Sequence, residues 1–369
     1  ANRHKRVKHM KQTGAVIAAA GLSSRMGDFK PLLPFGKECV ARHLTQMLAR
    51  TGVSPVVMVT GYRGEELKQQ LKDTDIIFIQ NRQYASTEML DSLKLGFEAI
   101  KGQCSEVLVM PVDVPAVTEE TVKKIIDADS PIVRTKCAGR RGHPVKLSSV
   151  MMEAVLSYQG EQGLKGFLKS CSDLILDVEV ADEGSFVDAD TKEEYRRLLQ
   201  LEGSRGQGYP DGEALKWLLE TSQMPDHLRR HSEAVSRKAL SMAVKLQEKG
   251  ILLDLNLVRS ASLLHDIRKG SADHAAAGAA LLKESGYSRA AEIVRQHHWL
   301  DRMPSKADET LVVYLADKMI QGDKEVSIDE RFEKSLAKCA GNSEALKWHN
   351  KKYRQAREAW QVWEESFVS

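Results

Sequence analysis

The sequence predicts a doubly wound α/β domain with a mostly parallel sheet, followed by an all-α domain. Short apolar runs alternate with helical periods between residues 14 and 128, a pattern typical of a parallel sheet covered by helices on both faces. From residue 213 onward the apolar residues recur with the helical period throughout. A chain of 369 residues is also long for one domain, since most domains contain roughly 100–200 residues.

The strands and helices of the first domain alternate along the chain. We expect strands at 14–19, 55–60, 76–80, 107–111 and 174–180, and helices at 39–50, 65–71, 89–100, 119–128 and 193–200. Helices of the second domain are expected at 213–220, 227–248, 255–268, 274–285 and 289–298. In such sheets ligands bind beyond the carboxyl ends of the strands, so the segments after 14–19 and 107–111 should share one crevice.

A glycine-rich segment with one proline, residues 201–212, is the predicted linker between the two domains. The domains are therefore expected at 12–200 and 213–369. Composition supports this division, because all five tryptophans and seven of the eleven histidines lie at or beyond residue 217.

Composition also excludes several classes of protein. The net charge of +3 is small for this length, so a nucleic-acid-binding protein is not expected. No apolar stretch is long enough to predict a membrane span. The basic opening of the chain lacks the apolar core of a signal peptide and is expected to be a disordered arm. Five scattered cysteines without a CxxC pair favour reduced thiols and a cytoplasmic protein.

The segment after the first strand, residues 18–34, has the composition of a phosphate-binding loop. Gly21 and Gly27 permit a tight turn whose N–H groups approach an anion, and Arg25 and Lys30 add two cations. Small side chains leave room for a base and a ribose; they are those of Ala19, Ala20, Ser23 and Ser24. Neither GxxxxGK[ST] nor GxGxxG occurs here. The alternative is an ordinary strand-to-helix turn.

This loop resembles the signature of nucleotidyltransferases that transfer NMP from an NTP onto a phosphorylated acceptor, and most of all that of the molybdenum-cofactor cytidylyltransferases in the MobA-like superfamily. The resemblance rests on small residues and a glycine followed by Arg25, Met26-Gly27 and the run Lys30-Pro-Leu-Leu-Pro. It implies the fold of nucleotide-diphospho-sugar transferases, a Mg²⁺ cofactor, CTP as donor and a molybdopterin-type acceptor. A client molybdoenzyme would be a further partner. A sugar or polyol phosphate is the alternative acceptor, and a non-catalytic carrier is the alternative function.

Two acidic segments are candidates for the Mg²⁺ site. Asp113 follows a strand between two prolines, and the family has a matching aspartate; the alternative is that Asp113 caps the next helix. The stretch from Val187 to Thr191 resembles the DxDTPEE-type segment of the family, which implies metal binding by Asp188. Asp190 is instead assigned to the start of a helix, where Thr191-x-x-Glu194 forms a capping box.

Two further segments resemble the acceptor and base side of the same family. Gly139–Val145 matches its GRRGHP segment, which implies that Arg140 and Arg141 bind the acceptor phosphate while His143 positions it. The alternative is a tight turn with solvated arginines. Ser92 is expected to contact nucleotide, although Glu88 stands as an extra residue in this stretch.

Histidines and aspartates of the second half occur in the order His231, His265-Asp266, Asp317. This order resembles the HD superfamily of metal-dependent phosphohydrolases. A buried carboxylate inside the apolar run around Asp266 needs a cation, so we expect these four residues to bind a metal ion. The alternative is a cluster of satisfied polar residues.

Subgroups of the HD superfamily with two metal ions imply further ligands at His274 and His297, with Asp266 as the bridge, and a phosphate contact for Lys269. Mixed histidine and carboxylate ligands suit Mn, Fe, Co, Ni or Zn better than Mg.

Overall fold

The computed structural model describes residues 12–21, 27–339 and 341–368. The chain forms two compact units that divide between Gly203 and Ser204. The residues expected to form a linker, 201–212, are helical as far as Gln207. Of the candidate site residues, Ser23 and Arg25 lie outside the described part, as does the basic opening of the chain.

The described strands of the first unit are β1 Thr13–Ala19, β2 Pro34–Phe35, β3 Glu38–Cys39, β4 Val56–Thr60, β5 Ile76–Gln80, β6 Glu106–Pro111, β7 Ile132–Cys137, β8 Arg140–Ser148 and β9 Ile175–Glu179. Seven of them form one sheet in the order β5-β4-β1-β6-β8-β7-β9, and β2 and β3 form a short separate hairpin. Within the seven-stranded sheet, all pairs are parallel except the two made by β8, which is antiparallel to β6 and β7. The predicted mostly parallel α/β fold is therefore confirmed.

Along the chain, the helices of this unit lie between its strands, and the final helix follows the last strand. They are α1 Val40–Arg50, α2 Gly64–Gln70, α3 Met89–Ile100, α4 Glu119–Asp127, α5 Ser149–Ser157, α6 Gly163–Ser170 and α7 Lys192–Gln207, with 3₁₀ turns at Lys30–Leu32, Ser172–Leu174 and Glu183–Ser185. The sequence did not predict β7, β8 or α5.

The core of this unit packs α3 directly on the central strands. Val16 and Phe97 are fully buried there, and a Cβ added at Gly96 would lie 2.4 Å from Cγ1 of Val16. A glycine is therefore required for this close approach of helix and sheet. The packing fixes the first turn of α3 beyond the carboxyl end of β1, where the crevice lies.

The second unit is a bundle of helices. They are α8 Gly212–Thr221, α9 Asp226–Glu248, α10 Leu255–Leu264, α11 His274–Glu284, α12 Ser288–Gln296, α13 Glu309–Lys318, α14 Ile328–Leu336 and α15 Ser343–Glu365. A two-residue hairpin, β10 Ile320–Gln321 with β11 Lys324–Glu325, is the one departure from all-α structure in the described residues of this unit.

One predicted helix is too long. The helix expected at 255–268 ends at Leu264, and the next residues form a turn. His265 and Asp266 therefore lie in this turn rather than within a helix. None of the helices in the described part of the chain combines the length and apolar character needed to cross a membrane.

Candidate active sites

A crevice opens beyond the carboxyl ends of β1 and β6, as the fold predicts. It is lined by Ala18–Gly21 at the end of β1, by the residues around the start of α3, and by Pro111–Asp113 at the end of β6. Lys30 reaches into it from a 3₁₀ turn. The two segments that the sequence assigned to one crevice do share it.

Lys30 is held between two carboxylates. Its Nζ lies 3.2 Å from Oδ2 of Asp113 and donates a short hydrogen bond to Oδ1 of Asp190. Burial by itself would lower the pKa of Lys30, but the hydrogen bond to Asp190 and the charge of Asp113 outweigh it and raise the pKa. Lys30 therefore stays a cation at neutral pH.

The sequence predicts for Asp190 only a place at the start of a helix, whereas in the structure its side chain also contacts Lys30. The predicted capping box is present, but its cap is Thr191, whose Oγ1 accepts from the N–H of Glu194 at 3.2 Å. The Asp190 side chain is thus available for Lys30. Asp113 does not cap the next helix either, because Thr118 caps α4.

Asp188 belongs to the same acidic group. Its pKa is raised by burial first and then by the negative charges of Asp190 and Asp113. The N–H of Ala189 also donates to the carbonyl of Asp113 at 2.9 Å, which ties the two acidic segments together. Mg²⁺ usually binds one or two carboxylates plus substrate phosphates, so this acidic group fits a magnesium ion that arrives with a nucleotide.

The first turn of α3 forms the opposite wall of the crevice. Ser92 lines this wall, and its Oγ accepts a 3.0 Å hydrogen bond from the Nδ2 of buried Asn81. Asn81 also donates to Thr87 at 2.9 Å. The extra residue at Glu88 does not displace Ser92, because Glu88 becomes the N-cap of α3.

A close backbone contact shapes the wall beside Ala20. A Cβ added at Gly61, just after β4, would lie 2.6 Å from the carbonyl oxygen of Ala20 and 2.6 Å from Cβ of Tyr84. Only glycine permits this approach. Gly61 could not be singled out from the sequence, because the segments that it contacts lie about 40 residues before it, at Ala20, and about 20 residues after it, at Tyr84.

The segment predicted to bind the acceptor begins strand β8 rather than forming only a turn. Arg140 and Arg141 are exposed, and the guanidinium of Arg140 stacks 4.2 Å above the ring of Phe186. His143 lies further along the strand, where burial lowers its pKa and the charge of Asp113 offsets part of this effect. A neutral imidazole agrees with a positioning role.

The second unit brings all six of its predicted metal ligands together, in two groups. The first group contains His231 of α9, His265 after α10 and Asp317 of α13. The Nε2 atoms of His231 and His265 lie 3.3 Å and 3.6 Å from Oδ1 of Asp317.

The second group contains Asp266, His274, His297 and His298. Oδ1 of Asp266 lies 3.1 Å from Nε2 of His274 and 3.6 Å from Nε2 of His297. The other oxygen of Asp266 faces the first group, 3.6 Å from Nε2 of His265. Asp266 therefore stands between the two groups, the position that a bridging ligand needs.

The backbone orients three of these imidazoles. The Nδ1 atoms of His231, His265 and His297 lie 2.6–2.7 Å from the carbonyl oxygens of Gly322, Ser262 and Val294. A carbonyl can only accept, so each Nδ1 carries a proton, and in the neutral imidazole Nε2 keeps its lone pair for the cluster.

The buried nitrogens of the cluster test whether a metal fits. Nε2 of His265 and Nε2 of His297 are buried and have no hydrogen-bond partner among the described residues. Unpaired buried polar atoms are rare in native proteins. These atoms face the carboxylates of Asp266 and Asp317 at 3.6 Å, a donor set that suits divalent transition metals.

The charges in the cluster depend on one another. Burial would raise the pKa of Asp317, but Lys318, followed by His231 and His265, lowers it well below the usual range. Burial lowers the pKa of His297. Burial, together with the charges of His297 and Lys318, lowers the pKa of His298 to about 2. Both carboxylates are thus ionised, and His297 and His298 are neutral ligand types near pH 7.

Two lysines accompany the cluster. Nζ of Lys269 lies 3.1 Å from Oδ1 of Asp266 and 3.3 Å from Nε2 of His274, on the exposed side. Lys318 is buried, and its Nζ lies 2.8 Å from Oδ2 of Asp317 and 2.9 Å from the carbonyl of His297. The sequence did not single out Lys318, although its position directly after a predicted ligand was a possible signal.

Comparison with known proteins matches each unit to a domain family. Residues 15–174 match the model of the MobA-like NTP transferase domain, and residues 228–320 match that of the HD domain. The first unit is therefore a nucleotidyltransferase domain.

Among curated relatives, the molybdenum cofactor cytidylyltransferase of Escherichia coli is 31% identical over 154 residues, which are 40% of this chain and 76% of the relative. An uncharacterised protein of Methanocaldococcus jannaschii is 31% identical over 135 residues, 31% of this chain and 79% of the relative. The nicotine blue oxidoreductase of Paenarthrobacter nicotinovorans is 26% identical over 195 residues, 50% of this chain and 95% of the relative. The chain belongs to the MobA-like NTP transferase family and also carries an HD domain.

Proposed function

We propose that the first unit transfers CMP from CTP onto a phosphorylated acceptor of the molybdopterin type and releases pyrophosphate. The observation that carries this proposal is the placement of Lys30 between Asp113 and Asp190 at the mouth of the crevice. The likeness to a molybdenum cofactor cytidylyltransferase supports this acceptor.

Transfer requires an oxygen of the acceptor phosphate to attack the α-phosphorus of CTP, while the bond to the β-phosphate breaks and pyrophosphate leaves. The acceptor phosphate is already ionised at neutral pH, so no strong base is needed. Lys30 and Arg25 would stabilise the charge on the departing pyrophosphate. Mg²⁺, when bound by Asp113 and Asp188, would neutralise charge on the reacting phosphates.

The other residues of the first unit would bind and orient the substrates. Backbone N–H groups of the loop that contains Gly21 and Gly27 would bind the triphosphate, beside the small residues Ala19, Ala20 and Ser23. Ser92, fixed by Asn81, would contact the nucleotide.

Residues of β8 would bind the acceptor. Arg140 and Arg141 present exposed charge for its phosphate, and His143 would position it.

We further propose that the HD domain hydrolyses a phosphate ester or anhydride. His231, His265, Asp266 and Asp317 would hold one divalent metal ion, and His274, His297 and Asp266 a second. The bound metal would supply positive charge to the phosphate and lower the pKa of a water molecule. Lys269, on the exposed side of the cluster, would take up negative charge of the substrate phosphate.

The decisive experiment incubates the full chain with each of the four NTPs, Mg²⁺, and either molybdopterin or a set of sugar and polyol phosphates, and measures pyrophosphate release. Release with CTP and molybdopterin supports the proposal. Release only with a sugar or polyol phosphate would identify the alternative acceptor. Nucleotide binding without release would favour a carrier.

A further inference from the structure

A cleft separate from both active sites lies between the first three helices of the HD unit. Its volume is about 320 Å³, which is within the range of small-molecule sites. Leu215 and Leu219 of α8 and Leu263 of α10 supply an apolar wall. None of the metal ligands described above lines this cleft.

The polar side of the cleft carries more positive than negative charge. Lys216, Arg229 and Arg259 line it together with Glu220 and Glu233, which leaves one positive charge in excess. In the described part of the chain, none of these five side chains forms an ion pair or a hydrogen bond. Charges gathered in a cleft without mutual pairing are available to a ligand.

Two hydrogen-bond donors in this cleft are buried and unpaired. Nε of Arg229 and Oγ of Ser232 are shielded from solvent and have no partner among the described residues. Ser232 as a whole is only 1% exposed. Arg229 and Ser232 are one turn apart on α9, so both donors can serve one ligand group. A guanidinium N–H and a hydroxyl together match an oxyanion, which has several lone pairs.

We propose that this cleft binds a small molecule with a carboxylate or phosphate on an apolar body. The anionic group would accept hydrogen bonds from Arg229 and Ser232, and the apolar body would pack on Leu215, Leu219 and Leu263. This site does not depend on the hydrolase or transferase activity proposed above. His231 lies on α9 and His265 directly follows α10, so the binding assay must keep metal out of the neighbouring cluster.

The test uses the full chain with methyl-labelled methionine, freed of metal with a chelator. Met224 lies in the wall of the cleft, and its methyl resonance reports on occupancy. Benzoate and phenyl phosphate are the anionic probes, and benzyl alcohol is the neutral probe with the same ring. We expect a saturable shift of Met224 with one or both anions and a much weaker response to benzyl alcohol; the preferred anion distinguishes carboxylate from phosphate ligands.

Variants then assign the anion to its residues. Arg229→Leu should weaken binding about tenfold or more, because it removes a charge-assisted hydrogen bond from a shielded site. Arg230→Leu is the matched control, since Arg230 is exposed on the same helix and faces Asp323 instead. If Arg229→Leu fails to fold, binding of the anion is measured in Ser232→Ala instead, which should also weaken it. No saturable shift, an equal response to benzyl alcohol, or unchanged affinity in the variant that folds would overturn the proposal.

Discussion

Replacement of Lys318 by methionine tests the electrostatics of the HD cluster. The Lys318 side chain is buried, and its Nζ lies 2.8 Å from Oδ2 of Asp317. Methionine keeps the length and apolar stem of the side chain but leaves Asp317 with an uncompensated charge. Removing one partner of a buried ion pair commonly costs about 3–5 kcal/mol, so we expect the free energy of unfolding of the HD unit to fall by this amount.

The assay is urea denaturation of the full chain in a chelator, followed by tryptophan fluorescence. All five tryptophans lie at or beyond residue 217, so the signal reports on the HD unit alone. Lys334→Met is the control, because Lys334 is exposed and its Nζ donates a long 3.4 Å hydrogen bond to Gln321; its effect should stay within about 0.5 kcal/mol. A loss in Lys318→Met no larger than that of the control would refute the reasoning.

The pH dependence of this loss has a definite sign. Burial alone would lower the pKa of His265, but Asp317 and Asp266 raise it above the usual value. Stability from a group with a raised pKa is present at low pH and is lost as the pH rises through that pKa. Protonated His265 compensates Asp317 in part, so the loss in Lys318→Met should be smaller near pH 5.5 than near pH 8.

Three further predictions concern the two activities. Asp113→Asn should lower the rate of nucleotidyl transfer by about three decades or more, which is about 4 kcal/mol or more in activation free energy, while hydrolysis by the HD domain survives. Asp127→Asn, at an exposed site, is the control, and loss of both activities in a folded protein would argue for one shared site. The kcat/KM for CTP should exceed that for GTP because Cβ of Ala20 narrows the crevice, and a ratio that favours GTP would contradict this. His265→Ala should lose bound metal and hydrolysis together, whereas His227→Ala, exposed on α9, should keep both; metal analysis of the two purified variants decides.

Local patterns predicted the regular elements well. The ranges expected for β5 and α3 coincide with the observed ones, because apolar periodicity defines both and Glu88 caps the start of α3. The strand β8 was missed because its first residues, Arg140 and Arg141, are charged and exposed, so its apolar character begins only further on. The helix predicted at 255–268 was too long for a similar reason, because the apolar spacing continues past the end of α10 and through the turn at His265.

Long-range contacts explain what the sequence could not supply. Asp190 contacts Lys30 across 160 residues of the chain, and only the topology of the sheet brings them together. The role of the buried charge on Lys318 could not be predicted either. It depends on contacts with Asp317 and with the carbonyl of His297, which lies 21 residues earlier in the chain. The residues of the candidate metal cluster could be predicted because their residue types and order are informative without their distances.

The most direct test of the central proposal follows the α-phosphate of CTP. The full chain is incubated with Mg²⁺, molybdopterin and CTP labelled on the α-phosphate, and the products are separated. The proposed transfer predicts that the label joins the molybdopterin product in the same amount as unlabelled pyrophosphate appears, and that Asp113→Asn forms neither. Label that remains in CTP, or appears as free CMP or CDP without a labelled acceptor, would contradict the account.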